Sequence, residues 1–232
     1  MSNYKDNKSL KHSLAKIISY ILEAPILALF VFFILNFFLD NEKFLQIGTI
    51  SLLFGTILPI VLFVSWSKIK KIDKDYTIKE SRNYPFIIGI VIYFIGTFIL
   101  FLSSANPLTT ALMFCYGSNT LIVFFINLKW KISVHAMGVT GPTTTLMFFT
   151  PWGFLLGLLA PLVMWSRITL KKHTINQLLA GAILGYISTF IQIYYLLKIA
   201  NFNLNIDITL TTCLIFGLIL LSLISSLIIK KK

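Results

Sequence analysis

A chain of 232 residues that is 57% hydrophobic and only 12% charged has too little polar surface for a water-soluble globule. Its apolar residues come in long runs rather than amphipathic stripes, which predicts an all-α, polytopic membrane helical bundle. The net charge of +12 is explained by where the basic residues fall relative to those runs, so no nucleic-acid partner is expected.

In chain order, runs able to cross a hydrocarbon core of roughly 30 Å are predicted at 17–39, 45–66, 85–104 and 108–127. Four more follow at 136–150, 152–167, 176–198 and 208–229, so six to eight transmembrane helices are expected, with eight the direct reading. Glu23 and Pro25 fall in the first turns of the first helix, where they predict a snorkelling acid and a local kink without a functional role. The fifth and sixth runs are short and meet at Thr150, Pro151 and Trp152, which predicts a tight helical hairpin that does not quite cross the bilayer. Within it, Gly141, Pro142 and Thr143 to Thr145 predict a kinked helix whose hydroxyls satisfy its own backbone. Tyr194 and Tyr195 read as interfacial belt residues. The first run is too long for a secretory signal and lacks a small-residue cleavage site, and Cys115 and Cys213 lie in apolar runs that carry no redox information. No repeat or linker divides the chain, so residues 1–232 are read as a single integral membrane domain.

Sidedness follows from the positive-inside rule. With a cytoplasmic N-terminus, all of the 20 Lys and Arg residues except Lys43 and Lys198 fall inside. Both termini and the Lys68 to Arg82 loop, read by charge alone as an anchor for anionic lipid heads, are therefore expected on the cytoplasmic side of a multi-pass protein in a prokaryotic plasma membrane.

Two polar islands interrupt the apolar half of the chain on that same side: Lys131 to His135 and Ser166 to Gln177. Residues 81–206 contain no Asp or Glu, so cations and imidazoles gathered there lack a nearby carboxylate in sequence and point to an external anion, phosphate being the obvious one. In the second island His173 opens a helix and shares a face with Gln177, while Gly181 and Gly185 continue the four-residue spacing and predict close approach to a neighbouring helix. Gln177 is placed to fix the imidazole through one nitrogen and leave the other for chemistry. In the first island Ser133 and His135 stand at a helix start whose early turns include Gly138 and Gly141. Small residues and N–H groups there suit a phosphate, with Lys129 and Lys131 supplying charge.

The pattern Ser166-Arg167, five residues, His173, three residues, Gln177, followed by an apolar run, resembles the third motif of the type 2 phosphatidic acid phosphatase family, SR-x5-H-x3-D. Ile132-Ser133-Val134-His135 is similar to that family's second motif, PSGH. The resemblance covers roughly Lys129 to Gly185, within a catalytic core of approximately 68–198. It implies that His173 attacks phosphorus to form a phosphohistidine, that His135 protonates the leaving group, and that Arg167 and the backbone around Ser133 hold the phosphoryl oxygens. Ser166, Lys129, Lys131 and Arg82 would line the phosphate subsite, with no metal and no cofactor. The implied partner is a membrane lipid phosphate or diphosphate, of the phosphatidic acid or prenyl diphosphate class.

The chain departs from the family pattern at three places. Gln177 replaces the aspartate, Ile132 and Val134 replace the proline and glycine of the second motif, and no K-x6-RP motif precedes them. Lys129 with Lys131, or Lys79 with Arg82, are candidates for the missing cations, and Glu80 for the missing carboxylate. A neutral amide holds a tautomer but stabilises imidazolium less than a carboxylate does, so a catalytically impaired lipid-phosphate binder stands as the alternative. Enzymes that bind magnesium diphosphate use aspartate clusters in their helices, of which residues 81–206 have none, and a zinc protease needs HExxH, which the chain lacks. A transporter would carry polar side chains near mid-membrane, whereas the islands lie at an interface.

Overall fold

The computed structural model describes residues 2–73, 76, 78–202 and 207–230, with side chains placed for those from 10 to 229. Lys5, Lys8, Lys74 and the Lys230 to Lys232 tail, which contribute to the sidedness argument, lie wholly or by side chain outside the described residues.

Every regular element among the described residues is helical. The chain opens with α1 (Ser2–Ile21) and α2 (Ala24–Leu39), followed by α3 (Phe44–Leu52) and α4 (Leu58–Ile69), which a π-turn at Leu53–Ile57 joins into one span. Next come α5 (Asn83–Leu102), α6 (Pro107–Lys129), α7 (Val134–Phe149), the short α8 (Phe154–Gly157), α9 (Ala160–Thr169), α10 (Ile175–Ile199) and α11 (Ile208–Lys230). Six helical stretches among the described residues are long and apolar enough to cross a membrane: 41–69, 79–102, 107–129, 151–169, 175–199 and 208–229. The bent pair α1 and α2, taken as one span, makes a seventh. The remaining expected run is α7, which is 16 residues long.

The first span is broken rather than merely kinked. Pro25 has no N–H to offer the carbonyl of Ile21 and its ring crowds that turn, so Glu23 adopts an extended φ/ψ of −69°/144° and the two helices meet at 46°. The π-turn in the next span faces this break. Gly55 is required there because a Cβ would stand 2.6 Å from the Phe32 ring, and Thr56 Oγ1 donates to the carbonyl of Pro25 at 3.2 Å.

At the centre stands α7, buried from Ala136 through Phe148 and packed by α2, α6, α9 and α10. A helix enclosed on all sides must satisfy its polar groups internally. The hydroxyls of Thr140, Thr143, Thr144 and Thr145 each donate to the carbonyl four residues earlier, at 3.2, 2.8, 2.9 and 3.3 Å. The hairpin turn at Thr150 to Gly153 falls where the sequence predicts it, and the return arm is itself interrupted between α8 and α9. Close packing of α7 on α10 rests on the predicted glycines: a Cβ at Gly181 would overlap the carbonyl of Ser133, and one at Gly185 the hydroxyl of Thr140.

Candidate functional site

Four segments converge at one end of the bundle: the α1–α2 break, the connector from α4 to α5, and the starts of α7 and α10 with the connectors that precede them. They enclose a cavity of about 290 Å³. Its polar wall is formed by Glu23, Tyr76, Arg82, His135 and His173, and its apolar wall by Ile60, Phe63, Val64, Phe86 and Tyr93. The volume lies near the low end of ligand pockets, about 300–1,000 Å³, so it suits a charged head and the first stretch of an apolar chain.

The second island is shaped by a helix stop and a helix start. Lys171 takes a left-handed φ of 54°, and the N–H of Lys172 closes the end of α9 by donating to the carbonyl of Arg167 at 2.9 Å. Thr174 then begins α10 as N-cap in a capping box with Gln177. Gln177 Oε1 accepts the backbone N–H of Thr174 at 3.1 Å and lies 3.1 Å from His173 Nδ1. An amide oxygen is only an acceptor, so Nδ1 carries the proton and Nε2 the lone pair. The capping box supplies a physical reason for glutamine here. The third position of such a box takes Gln or Glu, whose side chain reaches back to the cap, and aspartate is a methylene shorter.

The first island is locked to the second through backbone. The N–H of Ser133 donates to the carbonyl of Gln177 at 3.1 Å, and Ser133 Oγ caps α7 by accepting from the N–H of Ala136 at 3.3 Å. Ser133 therefore fastens the two helix starts, and its N–H is not directed to a phosphoryl oxygen as the resemblance implies. Arg82, buried and facing the cavity, donates from Nε to the carbonyl of Tyr76 at 2.9 Å and from Nη1 to that of Ile132 at 3.2 Å. Tyr76 in turn donates to the carbonyl of Phe63.

The other expected residues divide into near and far. Lys131 Nζ donates to the carbonyl of Lys172 at 2.9 Å, and Arg167 Nη1 donates to Ser19 Oγ at 2.7 Å; neither side chain lines the cavity, but both act on it through charge. Burial, reinforced by the charges of Arg82, Lys131, Arg167 and His135, pushes the His173 imidazole from 6.5 down to about 2. Burial, followed by Arg82 and Arg167, likewise pushes Lys131 from 10.5 down to about 8, while Asp73 pulls it the other way. Ser166 is fully buried and donates to the carbonyl of Val163 at 3.0 Å, so it closes α9 instead of lining the subsite. Lys129 is exposed, and its carbonyl rather than its ammonium is engaged, accepting from Lys79 Nζ at 3.2 Å. Glu80 is paired with Lys79 at 3.7 Å on the surface, which removes it as the replacement carboxylate. Gly138 and Gly141 serve packing: a Cβ at the first would overlap Ala24, and one at the second would stand 3.2 Å from Thr189 Oγ1.

Two carboxylates missed in the sequence reach the islands from outside the acid-free stretch. Glu23 Oε1 lies 3.9 Å from His135 Nε2, and Asp73 Oδ1 lies 3.8 Å from Lys172 Nζ. The expectation of cations without carboxylate partners is corrected accordingly, because chain separation does not measure distance once α1–α2 and the Lys68 to Arg82 segment fold over the site. The signals were present in part: an acid two residues before a proline inside an apolar run marks a helix break, and T-x-x-Q marks the capping box.

A third polar group lies at mid-span. Asn119 of α6 donates from Nδ2 to Thr189 Oγ1 at 2.9 Å, and its Oδ1 accepts from Ser188 Oγ at 2.8 Å and Gln192 Nε2 at 2.9 Å, while Ser118 donates to Gln192. The expectation that polar side chains concentrate at the interface alone is therefore incomplete. Among the described residues, no group of three or more His, Cys, Asp or Glu side chains is placed to hold a metal ion.

The fold defines the protein as an all-helical bundle with the spans of a multi-pass membrane protein. Comparison of the chain with models of known protein families, with curated proteins and with solved structures finds no match.

Proposed function

We propose that this protein is a metal-independent lipid phosphate or diphosphate phosphatase that works through a phosphohistidine at the cytoplasmic membrane interface. The observation that carries this reading is the sharing of one cavity by His173, His135 and Arg82, with an apolar wall beginning at the same opening. His173 offers a neutral Nε2 whose lone pair attacks phosphorus while Gln177 holds the opposite side of the ring. The P–O bond to the leaving group breaks as the N–P bond forms, and His135 gives a proton to the departing oxygen. Water then attacks the phosphohistidine, His135 takes the proton back, and inorganic phosphate leaves. Arg82 and the nearby charges of Lys131 and Arg167 offset the charge that builds on the phosphoryl oxygens. Phosphatidic acid and prenyl diphosphates are the substrate classes this site suits.

The reading is tested by phosphate release from a panel of lipid phosphates and diphosphates with EDTA present. Turnover is expected for the wild type, none for His173→Ala, and a loss on the order of 10²–10⁴-fold for His135→Ala. A phosphohistidine trapped at His173 is the expected intermediate. If the wild type does not exceed the His173→Ala control, the enzyme reading fails and lipid-phosphate binding without turnover takes its place.

A transporter is the second reading, favoured by the mid-span cluster around Asn119. Those side chains hydrogen-bond to one another across α6 and α10, the way bundle helices are joined in lipid, which supports a packing role for them.

A further inference from the structure

We propose that Glu23, at the break between α1 and α2, is the positioning carboxylate of His135 and makes that histidine the proton donor of the reaction. The inference rests on the phosphatase reading above. Among the described residues, Glu23 is the one carboxylate lining the cavity, and its Oε1 lies 3.9 Å from His135 Nε2. Its place is built by the backbone. Pro25 ends the helical hydrogen bonding, Glu23 takes the extended N-cap conformation, and Ala24 seats against Gly138, one turn below His135. A helix that ran through this point unbroken would not turn Glu23 into the cavity by that route.

The electrostatic argument concerns how two histidines in one cavity come to differ. The charged and titratable groups on the wall with His135 are Tyr20, Glu23, Tyr76, Arg82, Tyr93 and His173; Lys131, Arg167 and Lys172 add positive charge from neighbouring segments, and Asp73, paired with Lys172, adds negative charge. In that company an imidazolium is opposed by every cation present and supported, at the cavity wall itself, by the one carboxylate of Glu23. Glu23 supports it at His135, whereas the partner of His173 is the neutral amide of Gln177. Paired groups whose surroundings favour opposite protonation states divide acid and base duties between them. His173 keeps a lone pair and attacks. His135 keeps a proton, holds it against the Glu23 charge, and passes it to the leaving oxygen as the P–O bond breaks. The neutral His135 so formed takes a proton from the water that later cleaves the N–P bond, and the pair returns to its starting state.

The arrangement differs from a carboxylate placed on the attacking histidine. Here the negative charge stabilises the donor, so its contribution depends on how much the leaving group needs a proton. An alkoxide needs one, and a nitrophenolate leaves without it.

The test compares kcat/KM for a long-chain alkyl phosphate and for 4-nitrophenyl phosphate in wild type, Glu23→Gln, Glu23→Asp and His135→Ala. Glu23→Gln is expected to lower kcat/KM for the alkyl phosphate on the order of tenfold to a hundredfold, part of what the donor itself provides. The same variant is expected to lose much less kcat/KM on 4-nitrophenyl phosphate than on the alkyl phosphate, with the remaining turnover showing that it folds, and Glu23→Asp is expected to recover part of the alkyl activity. An equal loss on both substrates, or no loss on the alkyl phosphate, overturns the role of Glu23 while wild-type turnover keeps the phosphatase reading. Absence of turnover by the wild type on both substrates overturns the phosphatase reading itself and this role with it.

Discussion

The backbone N–H of Ser133 donates to the carbonyl oxygen of Gln177 at 3.1 Å, so the starts of α7 and α10 are tied to each other at the cavity. Gly181, one turn further along α10, lets the two backbones come this close, because any side chain there would occupy the space of the Ser133 carbonyl. The positions of His135 and His173 thus depend on one hydrogen bond and one missing Cβ.

Gly181→Ala should therefore lower stability and activity together. Overpacking a tight contact costs about 1–3 kcal/mol, and here the obstacle is backbone, which cannot rotate away. Thermal unfolding in detergent should show a clear drop in midpoint. Gly217→Ala serves as the control, since a Cβ there meets nothing within 4 Å.

Anion binding should weaken as pH rises through about 8, where Lys131 loses its proton in the empty site. The sign follows from linkage: an anion favours the protonated ammonium, so above that pH binding must take up a proton. An alkyl sulfate, whose own charge is constant over this range, should lose affinity from pH 7 to 9 for wild type, and Lys131→Met should flatten the profile. For stability the sign is opposite to that of a paired cation. Because the folded values of Lys131 and His173 are depressed, the unfolded chain binds more protons between about 8 and 10.5 and between about 2 and 6.5, so the empty protein gains stability from each group as pH rises through its window.

Gly89 lines the cavity on α5, and a Cβ added there meets nothing within 4 Å. Gly89→Leu should fill the apolar end without straining the backbone. In a series of alkyl phosphates, the long-chain members should lose kcat/KM and short ones should keep it; a uniform loss across chain lengths would show that this wall does not receive the chain.

The proposed cytoplasmic placement is checked by labelling. In a background lacking Cys115 and Cys213, Lys70→Cys should resist a membrane-impermeant maleimide applied to intact cells and react after permeabilisation. Reaction in intact cells would reverse the sidedness and leave the chemistry of the cavity as described.

The helical character of this protein was legible in the chain because each apolar run must satisfy its own backbone in lipid, and only a helix does so locally. The turn at Thr150, the back-bonded threonines of α7 and the close approach at Gly181 and Gly185 were legible for the same reason: each follows from spacing within one or two turns. The neighbours of the histidines were not. Glu23 reaches His135 and Asp73 reaches Lys172, each across more than ninety residues of chain, Ser166 and the Lys129 carbonyl are turned to structural work, and Asn119 finds its partners on a helix far along the sequence. Composition and spacing alone determined that this protein is a bundle of apolar helices with histidine-bearing islands at one boundary. Tertiary structure alone decided which charges meet which imidazole, because electrostatic interactions depend on distance through space and helix packing sets that distance.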